Sequence, residues 1–502
     1  MQSMWRWRAI ILMSSAVVML PLRHLVPPLT DFGEHAATIA TVHDVLFGGP
    51  LDAWYELDLL HTQYWLMALV GALLSPLVGG PVAALKLLLV AASVGATAAM
   101  LRLLRVLELD ERLALAAVAL TWTRPMALAF VPFVLALPLV LLVFAEVGGV
   151  ERPSRAAHVR VALLGLATYL LNLASLMWLG VGAFAVVLAR ELRRAPAREV
   201  LAGVVRRLPG VLVLALPIAL WMLTSGVARA DPTQFAVSMT PRFWSLPRLL
   251  KDGPLWILDC WVDRSGRTLN HVYLGALVLL ALPLGAKEPS SGRRAAIALA
   301  VATTLLCVAL PFERGWLWGL NARFLAAAAL LLAPALAFRR GVARSLALAG
   351  LGAVSLGAAW NTERLTLVTQ QEARGVELLR ELRPGSRLLQ LSFDQGSAVS
   401  HDSVTSHLSG FHRAWNHGPN EPSFVDLPQS VLHYRAGRAP FLRPWPSELS
   451  PNEYDNAREG PAYDWVLVRG EGPSFPPAEG TPGPRWELVQ SVEGWRLFRR
   501  LD

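Results

Sequence analysis

Residues 27–61 read PPLTDFGEHAATIATVHDVLFGGPLDAWYELDLLH, and this stretch holds six acidic residues without one lysine or arginine. It follows an apolar run, residues 9–22, which itself comes after a basic and aromatic N-terminus. Lys and Arg in loops beside membrane spans stay on the cytoplasmic side, so a loop without them is expected outside. The sequence therefore predicts an uncleaved first span, with its N-terminus in the cytoplasm, and an acidic first outer loop.

The composition is that of an integral membrane protein. Of the 502 residues, 54% are hydrophobic, the mean hydropathy is +0.43, and the apolar residues come in long blocks. The net charge is +9, but the basic residues sit mostly in short loops between those blocks, where they report orientation and exclude a nucleic-acid partner. The high share of Arg, Ala, Leu and Pro with few Lys suggests a bacterial inner membrane.

The apolar blocks predict a polytopic α-helical membrane protein with about eleven spans. Residues 161–189 have basic flanks at both ends, so this block is predicted to fold as two helices that meet near residues 172–178. A span at residues 59–77 would place the basic loop 102–112 outside, so this run is predicted to lie in the outer interface or to be re-entrant. The other blocks are residues 82–101, 113–122, 125–147, 209–224, 272–284, 295–311, 324–338 and 346–360.

The chain is predicted to divide into a transmembrane domain, residues 1–360, and a C-terminal extracytoplasmic domain, residues 361–502. The second part has no cysteine, so it must be held by its own core. Its apolar spacing predicts a helix and several strands, which together indicate a small α/β domain. The helix is expected at residues 363–383, the strands at 387–393 and 464–469, and a hairpin at 486–499 with its turn at Glu493-Gly494; residues 395–461 show no clear period.

Two acids at the start of the first outer loop are candidates for chemistry. Asp31 and Glu34 precede an amphipathic run that carries Ile39, Val42 and Leu46 on one side. Their spacing fits a capping box, in which Asp31 accepts backbone N–H bonds and Glu34 reaches back to the backbone of Asp31. A capping carboxylate can still present one oxygen to a substrate, so the structural and chemical interpretations are compatible.

The arrangement resembles the GT-C superfamily of membrane glycosyltransferases, which includes protein mannosyltransferases and lipid A aminoarabinose transferases. The resemblance rests on the basic-aromatic first span, the acidic first outer loop, His61-Thr62-Gln63-Tyr64, and Asn321-Ala322-Arg323-Phe324 at the start of a late span. It implies a juxtamembrane helix after the acidic loop and an outer C-terminal domain. The family often has two adjacent acids and His-Pro-Pro-Leu, where this chain separates its acids by two residues and has His-Thr-Gln-Tyr.

The resemblance implies inverting transfer of a hexosyl or pentosyl group from a polyprenyl-phosphate donor to an acceptor at the outer membrane face. Asp31 is the expected base, because a hydroxyl nucleophile needs a carboxylate to take its proton. Glu34 is the alternative base or orients the acceptor, and Arg323 is expected to stabilise the phosphate leaving group. Further substrate-binding candidates are His35, His61, Arg248 and Lys251; for the last two, contact with lipid headgroups is the favoured alternative.

A metal requirement and the function class stay open. The tail histidines match no standard zinc spacing, so a structural role is expected for them, while His35 beside Asp31 keeps a divalent metal possible. These tail residues are His401, His407, His412 and His417. A non-catalytic scaffold of the same fold is one alternative to the enzyme, and a lipid or solute transporter is another, although Lys86 is the main ionisable residue within a span.

Overall fold

The computed structural model describes most of the chain. The described residues are 2–59, 62, 64–149, 154–194, 200, 202–205, 219, 223, 240–282, 291–314, 317–337, 341–425, 427, 430–439 and 450–501.

The described elements are mainly helical. The α-helices are α1 (Gln2–Val17), α2 (Phe32–Phe47), α3 (Leu66–Val78), α4 (Pro81–Val106), α5 (Leu115–Ala119), α6 (Arg124–Ala127), α7 (Val131–Gly149), α8 (Arg155–Leu171), α9 (Leu173–Arg194), α10 (Leu246–Asp252), α11 (Ser265–Ala281), α12 (Ser291–Ala309), α13 (Arg323–Leu336), α14 (Val342–Glu372), α15 (Gly375–Leu378) and α16 (Gly410–Asn416). The strands are β1 (Tyr55–Leu57), β2 (Glu313–Arg314), β3 (Leu317–Trp318), β4 (Leu388–Ser392), β5 (Asn420–Glu421), β6 (Leu432–Tyr434), β7 (Trp465–Arg469), β8 (Trp486–Val492) and β9 (Trp495–Arg500).

Five of the described helices, α4, α7, α9, α12 and α14, are long and apolar enough to cross a membrane. The shortest of them have 19 residues, which extend about 28 Å and so match the hydrocarbon core of a bilayer. The chain is therefore a multi-pass membrane protein. The predicted total of about eleven spans is not confirmed.

The predicted break inside the block 161–189 is confirmed. Helix α8 ends at Leu171 and α9 begins at Leu173, with Asn172 extended between them (φ −161°, ψ 120°). The buried Asn172 Oδ1 accepts hydrogen bonds from the Ser175 amide (2.9 Å) and the Ser175 hydroxyl (3.1 Å). Asn172 thus satisfies a backbone donor at the start of α9, as a capping side chain does.

Other predicted spans have different outcomes. The span predicted at residues 113–122 is wrong, because it holds only the five-residue α5 and Pro125 then opens the separate helix α6. The block 209–224 lies almost wholly outside the described residues. Within the run 59–77 the structure has α3, whose 13 residues extend about 20 Å and fall short of a full span. The interfacial placement of this run stays a prediction.

The chain separates into two compact units. The first comprises Met1–Pro21, Leu89–Leu223 and Ser238–Glu363, and the second Leu22–Leu88, Thr224–Val237 and Arg364–Asp502. The predicted division at residues 360/361 counted the acidic first loop with the membrane domain, whereas the structure groups it with the C-terminal residues. Helix α14 also continues 12 residues past Trp360, to Glu372.

The second unit contains a five-stranded mixed sheet in the order β5-β4-β7-β9-β8. Strand β4 lies between β5 and β7 and is parallel to both, while β9 is antiparallel to β7 and β8. The two central strands are buried, and one apolar core lies against the sheet. Its members include Leu389, Leu391, Val466, Val468, Tyr454, Tyr463, Phe475 and Phe498.

Most of the predicted elements of the tail are present. The strands expected at residues 387–393 and 464–469 are β4 and β7, and the predicted hairpin is β8 and β9. The turn falls at Glu493 and Gly494, which both have positive φ (41° and 79°), as a two-residue turn between twisted strands requires. The helix expected at 363–383 is interrupted: α14 ends at Glu372, and the short α15 and a 3-10 turn follow.

Acidic residues of the first loop pair with basic residues of the C-terminal stretch inside this unit. Strand β1 pairs antiparallel with β6, and beside them Asp52 binds the Arg435 guanidinium (2.5 Å). The Asp44 carboxylate accepts a hydrogen bond from His417 Nδ1 (2.6 Å) and another from the Leu51 amide (3.2 Å). His417 terminates α16 in the left-handed conformation (φ 54°), which directs its side chain out of the helix.

The Asp44–His417 pair is linked to pH. The hydrogen bond to Asp44 raises the pKa of His417 above its usual value, against the opposing effect of burial. Burial opposes ionisation of Asp44, but the bonds from His417 and Leu51 outweigh it and lower the pKa of Asp44. The pair therefore contributes its full stability between the unfolded-state pKa values of aspartate, about 3.9, and histidine, about 6.5. It loses the part due to the imidazolium as the pH rises through the raised pKa of His417, and the part due to the carboxylate as the pH falls through the lowered pKa of Asp44.

We expect His417→Asn to destabilise the protein more at pH 6 than at pH 8.5. Asn tolerates the left-handed backbone, so the change removes the charge without adding strain. The difference should be on the order of 1 kcal/mol or less, because His417 is half-exposed and solvent screens the pair. Thermal unfolding of both proteins in detergent micelles measures it, with the exposed His401→Asn as control. An equal loss of stability at pH 6 and pH 8.5 would contradict the predicted pH dependence of the Asp44–His417 pair.

Candidate active site

Asp31 immediately precedes α2, but its side chain does not cap that helix. The Asp31 backbone has φ −95° and ψ 14°, and the carboxylate makes no hydrogen bond to the helix N-terminus. Instead Asp31 Oδ1 accepts a hydrogen bond from His407 Nδ1 at 3.0 Å. The capping box predicted for Asp31 and Glu34 is therefore wrong, because both carboxylates bind side chains from the C-terminal stretch.

The two members of this pair differ in exposure. The Asp31 side chain is 21% exposed, whereas that of His407 is 6% exposed. The imidazole packs edge-on against the Phe424 ring, with centroids 5.0 Å apart. Asp31 is thus the member that a solvent-borne acceptor can reach.

Glu34 is fully buried, and both of its oxygens are used. Oε2 accepts hydrogen bonds from Arg413 Nη2 (2.8 Å) and from the Phe424 amide (3.2 Å), and Oε1 accepts one from Asn420 Nδ2 (2.7 Å). The Glu34 side chain is 0% exposed, as is that of Arg413. A carboxylate held in this way neutralises a buried cation and is not accessible to an acceptor in this conformation.

Arg413 is the buried cation that Glu34 neutralises. Its Nη1 donates to Ser423 Oγ (2.6 Å), and its guanidinium carbon lies 5.7 Å from the centre of the Tyr55 ring. Burial alone would lower the pKa of Arg413, but the Glu34 charge together with Tyr55 and Tyr434 outweighs that effect and raises it. Removing either partner would leave an uncompensated charge in the interior, which is strongly destabilising.

Two glycines allow α2 and α16 to approach this closely. A Cβ atom on Gly33 would lie 2.2 Å from the His407 carbonyl oxygen, and one on Gly410 would lie 2.4 Å from the Gly33 carbonyl carbon. Only glycine fits such a backbone-to-backbone contact. The contact holds His407 beside Asp31 and Arg413 beside Glu34.

The other candidates in this part of the chain have simpler surroundings. The His35 ring lies edge-on to the Phe424 ring, with centroids 6.0 Å apart. His61 lies outside the described residues. Among the residues that the structure describes, no group of three or more His, Cys, Asp or Glu side chains is arranged to hold a metal ion. The tail residue His412 is buried, and its Nε2 donates to the Ser386 carbonyl (2.7 Å).

A cavity of about 440 Å³ in the second unit combines two basic residues with an aromatic ring. Lys86 and Arg380 line it together with Trp415 and Asn416. Lys86 Nζ donates to the His24 carbonyl (2.6 Å), and the Arg380 guanidinium lies 5.5 Å from the centre of the Trp415 ring. This arrangement can bind an anionic group, since ammonium and guanidinium groups both donate to phosphate oxygens.

In the first unit, the structure brings Arg248 and Arg323 to one aromatic cluster, formed by Phe130, Trp244, Trp256, Phe312 and Trp318. Arg323 lies 3.9 Å from the centre of the Phe130 ring and donates to the Trp318 carbonyl (2.8 Å). Arg248 lies 5.4 Å from the centre of the Trp244 ring. Arg124 stacks on the same cluster, 5.0 Å from the centre of the Trp256 ring, whereas Lys251 is exposed on α10.

Sequence reasoning missed several residues of these sites. His407 was considered only as a metal ligand, Lys86 only as a charge within a span, and Arg413 and Arg380 not at all. No local pattern marks them, since 376 positions separate Asp31 from His407 and 379 separate Glu34 from Arg413. One signal was available: a long polar stretch without a period, residues 395–461, is often functional in a compact domain.

Comparison with known proteins gives matches in structure only. No protein-family model matches the chain, and no curated protein sequence matches it. The structure is similar to that of ArnT from Cupriavidus metallidurans bound to undecaprenyl phosphate, with a TM-score of 0.55, 14% identity, and coverage of 98% of this chain and 97% of that one.

Two further structures are similar at lower scores. Arabinofuranosyltransferase AftD from Mycobacteria matches with a TM-score of 0.48 and 14% identity over 98% of this chain and 40% of that one. Archaeal oligosaccharyltransferase AglB from Archaeoglobus fulgidus, in complex with an inhibitory peptide and a dolichol-phosphate, matches with a TM-score of 0.41 and 13% identity over 92% of this chain and 69% of that one. The similarity to the ArnT structure shows that the chain has the GT-C fold, which the resemblance in its sequence predicted.

Proposed function

We propose that the protein is a membrane glycosyltransferase that moves a sugar from a polyprenyl-phosphate donor to an acceptor hydroxyl or amine. The observation that carries this proposal is the partly exposed Asp31 carboxylate, at the start of α2, in a chain with the GT-C fold. The ArnT structure of similar fold is bound to undecaprenyl phosphate, which supports a lipid-linked donor. We place the reaction at the outer face of a bacterial inner membrane, because the first loop has no Lys or Arg.

The chemistry is a single displacement at the anomeric carbon. Asp31 takes the proton of the acceptor as the acceptor oxygen or nitrogen forms the new bond to that carbon. The bond from the anomeric carbon to the phosphate oxygen breaks, and its electron pair leaves with the polyprenyl phosphate. Attack opposite the leaving group inverts the configuration. The leaving phosphate is a weak base, so it needs cationic stabilisation more than a proton.

Glu34 has a structural role in this proposal. Its two oxygens already accept hydrogen bonds from Arg413, Asn420 and the Phe424 amide, so it is a poor choice for a base that must meet an acceptor. The same bonds fix the first turn of α2, which carries Asp31 at its start. Glu34 therefore supports the base rather than acting as one.

Two clusters can supply the cationic stabilisation. In the first unit Arg323 and Arg248 lie on the aromatic cluster, and an arginine binds phosphate through two parallel hydrogen bonds. In the second unit Lys86 and Arg380 line the cavity beside Trp415. Arg323 stays the proposed leaving-group residue, and Lys86 and Arg380 are added as a second phosphate-binding candidate. His35, His61 and Lys251 remain proposed substrate contacts.

Asp31→Asn should lower sugar transfer by roughly 10²- to 10⁴-fold, the usual contribution of a general base. Asn keeps the shape and an oxygen that accepts from His407, so it isolates the loss of charge. The measurement is transfer from labelled undecaprenyl-phosphate sugars in reconstituted vesicles at matched expression. Asp52→Asn is the control, since Asp52 makes a half-exposed ion pair worth little. Equal turnover by Asp31→Asn and wild type would remove Asp31 as the base, and absence of turnover in both would favour the scaffold.

Glu34→Gln should destabilise the protein by roughly 3–5 kcal/mol, because it leaves the buried Arg413 without its counter-charge. We expect the turnover per folded molecule to fall much less than in Asp31→Asn, because Glu34 only supports the base. Thermal unfolding in detergent and transfer activity per folded protein separate the two effects, with the exposed Glu56→Gln as the matched control. A Glu34→Gln protein of normal stability but without activity would restore Glu34 as the alternative base.

Lys86→Met and Arg323→Met should each weaken the binding of undecaprenyl phosphate roughly 10- to 150-fold, since a charged hydrogen bond contributes roughly 1.5–3 kcal/mol. Methionine keeps an unbranched side chain and removes the charge. Inhibition of sugar transfer by added undecaprenyl phosphate reports the affinity, and the thermal unfolding of each variant checks that it is folded. Unchanged inhibition in a variant would remove that residue from the phosphate site.

A further inference from the structure

We propose that His407 is a positioning residue for Asp31: its imidazole fixes the orientation of the carboxylate that removes the proton from the acceptor. This inference rests on the proposed function and adds a residue to it. It assigns a role to a side chain from the irregular C-terminal stretch, 376 positions away from Asp31 along the chain.

The direction of the hydrogen bond between the two side chains supports this role. An ionised carboxylate can only accept, so His407 Nδ1 carries the proton that it shares with Asp31 Oδ1 at 3.0 Å. Among the described residues, Asp31 makes no other side-chain hydrogen bond. One oxygen is thus held by the imidazole, and the other is left for the acceptor.

The two side chains also differ in their exposure to solvent. With 6% of its side chain exposed, His407 is too buried to meet a substrate, whereas Asp31 is 21% exposed. A histidine that exchanged protons with the acceptor would need the opposite arrangement. The proton therefore goes to Asp31, and His407 acts only through it.

Packing also keeps His407 itself in place. Its ring packs against Phe424 at 5.0 Å, and its carbonyl oxygen lies where a Cβ of Gly33 would be. One turn further along α2, Glu34 binds Arg413 at 2.8 Å, which anchors the same two segments. A partner held by packing and by a second hydrogen-bonded pair is what orients a catalytic group before the substrate arrives.

The test separates positioning from a general structural role. His407→Ala should lower kcat for transfer from undecaprenyl-phosphate sugars by roughly 10- to 100-fold, with KM changed by less than about threefold. His407→Asn should recover most of that loss, because the Asn amide nitrogen can donate from about the position of Nδ1. In the Asp31→Asn background, His407→Ala should cost nothing further. The exposed His401→Ala is the control on the same segment.

Three results would overturn the inference: an unchanged kcat in His407→Ala, an Asn variant as slow as the Ala variant, or a further loss in the double variant. A second measurement does not depend on turnover. In histidine labelled with ¹⁵N, the His407 Nδ1 signal, assigned by its absence in His407→Asn, should shift in Asp31→Asn. An unshifted signal would reject the contact and the inference with it. A shifted signal in a wild type without turnover would support the contact and count against the proposed function alone.

Discussion

The buried ion pair between Glu34 and Arg413 is the constraint on which the proposed active site depends. Taking two charges out of water costs several kcal/mol for each, and only close pairing with further hydrogen bonds offsets that cost. Here Asn420 and the Phe424 amide supply those bonds to Glu34, and Ser423 supplies one to Arg413. Displacement of α2 from residues 413–424 would break these bonds to Glu34. The neighbouring Asp31–His407 pair is therefore held in a fixed geometry.

Pairing with basic side chains of the C-terminal stretch extends along the whole acidic loop. Five of its six acids pair with a basic side chain from residues 407–435. The absence of Lys and Arg in residues 27–61 therefore bears on tertiary pairing as well as on membrane orientation. The charges are thus divided largely between two distant segments, although His43 of the loop itself also lies 3.4 Å from Asp44. Three of the five basic partners are histidines. The pairs are Asp31–His407, Glu34–Arg413, Asp44–His417, Asp52–Arg435 and Asp58–His433.

The elements that could be predicted from the sequence are those that a local sequence pattern determines. The hairpin at Glu493-Gly494 and the strands β4 and β7 follow from alternation and turn residues, and the break at Asn172 follows from its basic flanks. The capping box failed because its signal is also local, whereas Asp31 and Glu34 bind partners more than 370 positions away. The span at residues 113–122 failed because apolar composition does not show where a helix ends: α5 ends at Ala119, and Pro125 lies in the first turn of the next helix.

The spacing of the two acids explains why one segment can be both anchor and site. Asp31 precedes the first residue of α2 with a non-helical backbone, whereas Glu34, three positions later, lies in the first turn of that helix. The inner acid then binds Arg413 in the interior, while the outer one lies at the helix entrance with partial access to solvent. In the proposed function, Glu34 is accordingly the structural carboxylate and Asp31 the reactive one.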